Sequence, residues 1–77
     1  MTDQGIVFVL DLVGYDARGG NAKVFASLEG AKREVPEVRW DESVGADGLR
    51  EWSEVPHYPG STADIWVIQE VRVHVQP

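Results

Sequence analysis

The chain has 77 residues, no cysteine and a formal net charge of -6 at pH 7. A chain of this length forms a thin core, because it buries only about 60% of the surface that its unfolded state exposes. The missing cysteines exclude disulfides and thiolate metal sites. The negative charge argues against direct binding to nucleic acid or to anionic membranes.

The first predicted element is a strand that covers the most apolar run of the chain, Ile6 to Val13. Side chains alternate between the two faces of a strand, so this run divides into two sets. The bulkier set, which we expect to face the core, is Ile6, Phe8, Leu10 and Leu12. The second set is Val7, Val9, Asp11 and Val13. The strand is therefore apolar on both faces.

A glycine-rich loop (14–21) and the segment "KVFA", which is either a strand or an extended piece, lead to the predicted helix. Ser27 is a favourable N-cap, and the helix is expected over Leu28 to Val35, before Pro36. A helix this short is unstable in isolation. We therefore expect it to pack against the sheet, with Phe25 beneath its start.

The second half of the chain predicts an acidic loop "DESVGADG", a strand "LREWSEV" and a wide connection "PHYPGSTAD". The preceding "EVRW" is a possible short strand or an extended link. The last strand is expected over Ile65 to Val75. Its first half is apolar on both faces and its second half alternates, which indicates a β-bulge near Gln69 and Glu70.

These elements predict an α+β fold over residues 1–77, a single domain with a three- to four-stranded, mainly antiparallel sheet and one short helix on one face. One short helix covers one face at most, so apolar residues of the other face are candidates for an interface. Trp and Tyr side chains are common interface anchors, and two of them are expected to be exposed. The candidate interface residues are Val7, Val9, Val13, Val71, Val73, Trp52 and Tyr58.

Most of the negative charge lies between Glu34 and Glu54. The candidate acidic surface residues are Glu37, Asp41, Glu42, Asp47, Glu51 and Glu54. Such a surface keeps a protein soluble. It is also able to imitate the phosphates of a nucleic acid and so bind to a nucleic-acid-binding protein.

Three segments resemble a class of small proteins from actinobacteria and their phages: the opening "VFVL", the helix start "VFASLEGAK" and the closing "IWVIQEVRV". In this chain the helix-start pattern falls on Phe25, Ser27, Glu29, Ala31 and Lys32. The resemblance implies a strand-helix-strand-strand fold. It also implies an accessory protein of a phage or other mobile element that binds a host protein.

The sequence contains no spacing that is typical of a catalytic or metal site. The glycine loop lacks the lysine and hydroxyl residue of a phosphate-binding loop, and the acidic loop lacks the ligand spacing of an EF-hand. The two histidines, His57 and His74, lie far apart. We predict no enzymatic activity, no cofactor and no bound metal, although a small enzyme or metal protein is an alternative.

The leading hypothesis is a non-enzymatic interaction protein, either a homodimer or a binder of an unidentified protein. An acidic mimic of nucleic acid that inhibits a nucleic-acid-binding protein is the alternative. The N-terminus lacks the basic region of a signal peptide, and the apolar runs are too short to span a bilayer. We therefore expect a soluble, cytoplasmic protein that binds neither a membrane nor nucleic acid directly.

Overall fold

The computed structural model describes residues 4–14, 22–56 and 64–74. Within them lie five strands and one helix. In chain order the elements are β1 (Gln4–Val13), β2 (Lys23–Phe25), α1 (Leu28–Glu34), β3 (Trp40–Val44), β4 (Arg50–Glu54) and β5 (Ile65–His74).

All five strands belong to one antiparallel sheet, in the order β2-β1-β5-β4-β3. The α+β class is confirmed, but the expected number of three to four strands is wrong. The segment "KVF", for which the sequence predicts either a strand or an extended piece, forms an edge strand that pairs with β1. The opposite edge is formed by β3, which the sequence analysis placed mostly in a loop.

The centre of the sheet is the pairing of β1 with β5, which extends from Gln4 opposite His74 to Val13 opposite Ile65. The register is the same at every pair of this ladder. The predicted bulge near Gln69 is therefore wrong. Alternate residues of β5 keep the same face along the whole strand, and the buried carboxylate of Glu70 is accommodated by an ion pair.

The helix begins where the sequence predicts. The Ser27 hydroxyl accepts a hydrogen bond from the Gly30 N–H at 3.0 Å, as an N-cap residue does. The helix ends at Glu34, one residue earlier than expected and two residues before Pro36. Its buried Ala31 faces the sheet, and Phe25 and Leu28 pack beside it.

The core lies between α1 and one face of the sheet, which we call the core face. Its buried apolar residues are Phe8, Leu10, Ala31, Trp52 and Ile68. Residues directly opposite each other in an antiparallel pair point to the same side. Leu10 lies opposite Ile68, and Ile68 lies opposite Trp52, so the central strands all contribute to this core. The expectation that the bulkier face of β1 turns inward is confirmed at Phe8 and Leu10.

The acidic segment after Trp40 forms β3 and a tight turn to β4. The Gly45 N–H donates to the Leu49 carbonyl at 2.8 Å, and the Gly48 N–H donates to the Gly45 carbonyl at 3.0 Å. Gly48 has a φ of 81°, a conformation that favours glycine. The two glycines thus form a tight hairpin turn where the sequence suggested a longer loop.

The helix α1, the one helix among the described residues, is too short to cross a membrane.

Candidate functional site

The candidate site is the face of the sheet opposite α1, which we call the open face. Of the described elements, none packs on it, because the helix contributes to the core on the other side. The register of β1, β2 and β5 places eight apolar residues there. These residues form what we call the valine patch: Val7, Val9, Val13, Val24, Ile65, Val67, Val71 and Val73.

Solvent reaches the valine patch most freely at its borders. Val24 is 65% exposed, Val13 is 49% exposed and Val73 is 37% exposed. Towards the middle, Val7 and Val71 lie opposite each other and are half-buried by their neighbours in the sheet. The patch is continuous across three strands, as a contact surface for another protein has to be.

The structure brings together five of the seven predicted interface residues, which are Val7, Val9, Val13, Val71 and Val73. Sequence reasoning missed Val24, Ile65 and Val67. The predicted bulge separated the two halves of β5. A continuous alternation along β5 would have assigned Ile65 and Val67 to the same face as Val71.

The expectation that Trp52 is exposed is wrong, since this side chain is only 2% exposed. Its neighbour Glu51 points to the open face, whereas Trp52 points to the core face. The Trp52 ring lies 5.9 Å from the Phe8 ring, and its Nε1–H donates to the Glu42 carboxylate at 2.8 Å. Tyr58, the other predicted aromatic anchor, lies outside the described residues.

A charged group on the core face accompanies Trp52. Arg50 donates to Glu70 through its side chain at 2.9 Å and through its backbone N–H at 3.0 Å, and its guanidinium lies 5.1 Å from the centre of the Trp52 ring. The side-chain and backbone hydrogen bonds from Arg50 hold the pKa of Glu70 below its ordinary value. The same side-chain bond raises the pKa of Arg50. This group stabilises the fold beside the core.

The six residues of the predicted acidic surface do not share one face. Asp41 and Glu51 lie on the open face, while Glu42 and Glu54 lie on the core face. Asp47 lies in the turn between β3 and β4, and Glu37 follows α1.

Four of these carboxylates accept hydrogen bonds from the protein itself. The acceptors are Glu42, Asp47, Glu51 and Glu54. The hypothesis of nucleic-acid mimicry gains no support from this distribution, because mimicry needs carboxylates along one surface.

A depression between the end of α1 and β4 is lined by Glu34, Glu37, Glu54 and Trp66. Two of these carboxylates have partners. Glu34 pairs with Lys23 at 2.6 Å, and Glu54 accepts the Trp66 N–H at 3.1 Å. Within the described ranges, no group of three or more histidine or acidic side chains is arranged to hold a metal ion.

Comparison with protein families, characterised proteins and solved structures finds no match to this chain. The valine patch is therefore the feature from which a function has to be argued.

Proposed function

We propose that this protein is a non-enzymatic interaction module that works in the cytoplasm and binds another protein, or a second copy of itself, through the valine patch. The single observation that carries the proposal is the exposed apolar surface on the side of the sheet opposite the helix. Each valine that becomes fully buried contributes about 1.5 kcal/mol or more. Covering this patch is thus a substantial source of binding free energy.

The resemblance of the first strand and the helix start to small actinobacterial and phage proteins supports a more specific proposal. On this basis the protein is an accessory protein of a phage or other mobile element that binds and inhibits a host protein. The valine patch supplies the contact surface for this role.

The proposal is tested by changing the middle of the patch without changing the shape of its side chains. We choose the double variant Val7→Thr with Val71→Thr, because threonine is β-branched and suits a strand. The matched control is Val44→Thr, since Val44 is a strand valine that is 64% exposed and lies on the core face. All three proteins are expected to fold.

Sedimentation equilibrium over a range of concentrations measures self-association, and affinity capture with the immobilised protein measures binding to other proteins. We expect the double variant to weaken association at least about tenfold, because each buried hydroxyl adds a desolvation cost. The control is expected to behave as wild type. A monomer at every concentration, whose captured proteins do not differ between wild type and the double variant, would contradict the proposal.

A further inference from the structure

Among the described residues, a single charged side chain, that of Asp11, lies between members of the valine patch. It lies between Val9 and Val13 along β1 and opposite Val67 of β5. The Asp11 side chain is half-buried by these neighbours. A protein that covers the patch therefore also meets a carboxylate.

This carboxylate has one hydrogen bond and no cationic partner among the described residues. Asp11 Oδ1 accepts the N–H of Leu12 at 2.9 Å, at a point of β1 beyond the last residue paired with β2. In the described ranges the ion pairs are Lys23 with Glu34 and Arg50 with Glu70. Removing the Asp11 carboxylate from water is costly unless an incoming group supplies a positive charge.

Among the described residues, the strands offer no such charge on the open face. The residues that β4 and β3 contribute beside the patch are acidic or neutral: Glu51, Ser53, Asp41 and Ser43. The cationic residues of the strands, Lys23, Arg50 and Arg72, lie on the core face. Arg39, directly before β3, falls on the open face by the same register, since its carbonyl accepts the Val55 N–H at 2.8 Å. It lies outside the valine patch, because β4 separates β3 from β5.

A second copy is consequently a poor occupant of the patch. Two sheets that pack face to face bring their inner faces together. If the valine patches of two copies covered each other, Asp11 of one copy would meet mainly valines of the other, because the described strands of the patch present no lysine or arginine on this face and Arg39 lies beyond β4. A carboxylate buried without a cation is strongly unfavourable, and the net charge of -6 adds repulsion between copies.

We infer that the occupant of the valine patch is a different protein, whose contact surface is apolar and carries a lysine or arginine that pairs with Asp11. This inference rests on the proposed function and specifies the chemistry of the partner. The exposed acids of the β3–β4 hairpin act in the same direction, because they attract a basic protein over a longer range.

The test uses two synthetic amphipathic helical peptides with the same leucine face, one bordered by lysines and the other by glutamates. Each is titrated into the purified protein at low ionic strength, and the valine methyl signals are followed by NMR. The variant is Asp11→Asn, whose carbonyl oxygen is still able to accept the Leu12 N–H. The matched control is Asp47→Asn in the β3–β4 turn, where Oδ1 likewise accepts a nearby backbone N–H at 3.0 Å.

We expect the lysine peptide to bind, to shift the methyl signals of the patch, and to bind more tightly than the glutamate peptide. Asp11→Asn should lower the affinity for the lysine peptide about two- to fivefold, which is the range for a partly exposed ion pair. Asp47→Asn should leave its affinity close to that of wild type.

Three outcomes would overturn the inference, and they differ in what else they remove. If both peptides bind the patch with equal affinity, and Asp11→Asn changes neither affinity, the inference of a basic partner is wrong but the proposed function is not contradicted. If the protein dimerises through the patch, and the Asp11→Asn variant dimerises more tightly than wild type, then the occupant of the patch is a second copy of the chain. A monomer whose patch signals respond to neither peptide overturns the proposed function as well.

Discussion

Glu70 is an acid at a position where the alternation of β5 places a core residue. The side chain is buried, and Arg50 neutralises it from the neighbouring strand with both its side chain and its backbone N–H. The sequence suggested a bulge here because the first half of β5 is apolar on both faces, whereas the second half alternates. The pairing of β4 with β5, which brings Arg50 to Glu70, is a tertiary contact that the local pattern does not contain.

The lowered pKa of Glu70 makes stability depend on pH in a defined direction. A carboxyl whose pKa is lower in the folded state stabilises the fold above its unfolded pKa, about 4.3 for glutamate. This contribution is lost as the pH falls through the folded pKa. We expect Glu70→Gln to lower the urea midpoint at neutral pH, and the difference from wild type to shrink in strong acid.

The control for this measurement is Glu37→Gln, which removes an exposed carboxylate outside the strands. Its urea midpoint should follow that of wild type across the same pH range. A constant difference between Glu70→Gln and wild type at all pH values would show that the ion pair is not the cause.

Gly14 directly follows β1, where the chain passes close to the beginning of β5. A Cβ atom at this position would lie 2.7 Å from the Asp64 Cα, which is closer than real Cβ contacts. We expect Gly14→Ala to lower the free energy of unfolding by about 1–3 kcal/mol, because the backbone has to shift. Chemical denaturation measures this change.

Gly5, near the start of β1, provides the comparison. A Cβ added there meets nothing within 4 Å. Gly5→Ala should therefore leave stability unchanged or raise it slightly, since alanine restricts the unfolded chain more than glycine does. If both alanine variants were equally stable, the close approach at Gly14 would not constrain the fold.

The elements differ in how well they can be predicted from the sequence. Ser27 and Pro36 fix the ends of α1 through local chemistry, and the alternation of β1 follows from the contrast between its two faces. Strand β3 is different, because it is an edge strand whose residues after Trp40 are all exposed. Without a buried face it carries no apolar alternation, and only its pairing with β4 makes it a strand. Its acids also discourage pairing with another chain at this edge.

The N-cap of α1 gives a test at the level of one element. Ser27→Ala removes the hydroxyl that accepts the Gly30 N–H. We expect the free energy of unfolding to fall by about 1 kcal/mol, as for other N-cap serines. Ser43→Ala, an exposed change in β3, is the control. A Ser27→Ala protein as stable as this control would mean that packing alone holds the helix.

At the scale of the whole molecule, the helix and the five strands of the described residues leave one face of the sheet with none of these elements packed on it. The sequence predicts this imbalance, since a single short helix is evident and β1 is apolar on both faces. It also locates Val7, Val9 and Val13 correctly. The remainder of the valine patch depends on which strands are neighbours and in what register, and neither is encoded in any one segment.

Net charge and the valine patch together predict how solubility depends on pH. The isoelectric point is about 4.6, so repulsion between molecules vanishes near that pH. We expect light scattering to rise most steeply there, because the exposed valines are then free to associate. The double variant Val7→Thr with Val71→Thr should scatter less than wild type at this pH, while Val44→Thr should match wild type.

The pairing of β1 with β5 has a consequence for the order in which the domain assembles. These two strands form the longest ladder of the sheet, yet they come from the two ends of the described chain. The β3–β4 hairpin is able to close early, because its contacts are local. The central ladder has to close a large loop before it gains any contact, and such non-local topologies fold slowly, typically in about milliseconds to seconds. Until that step, the valines of both strands are exposed to solvent together.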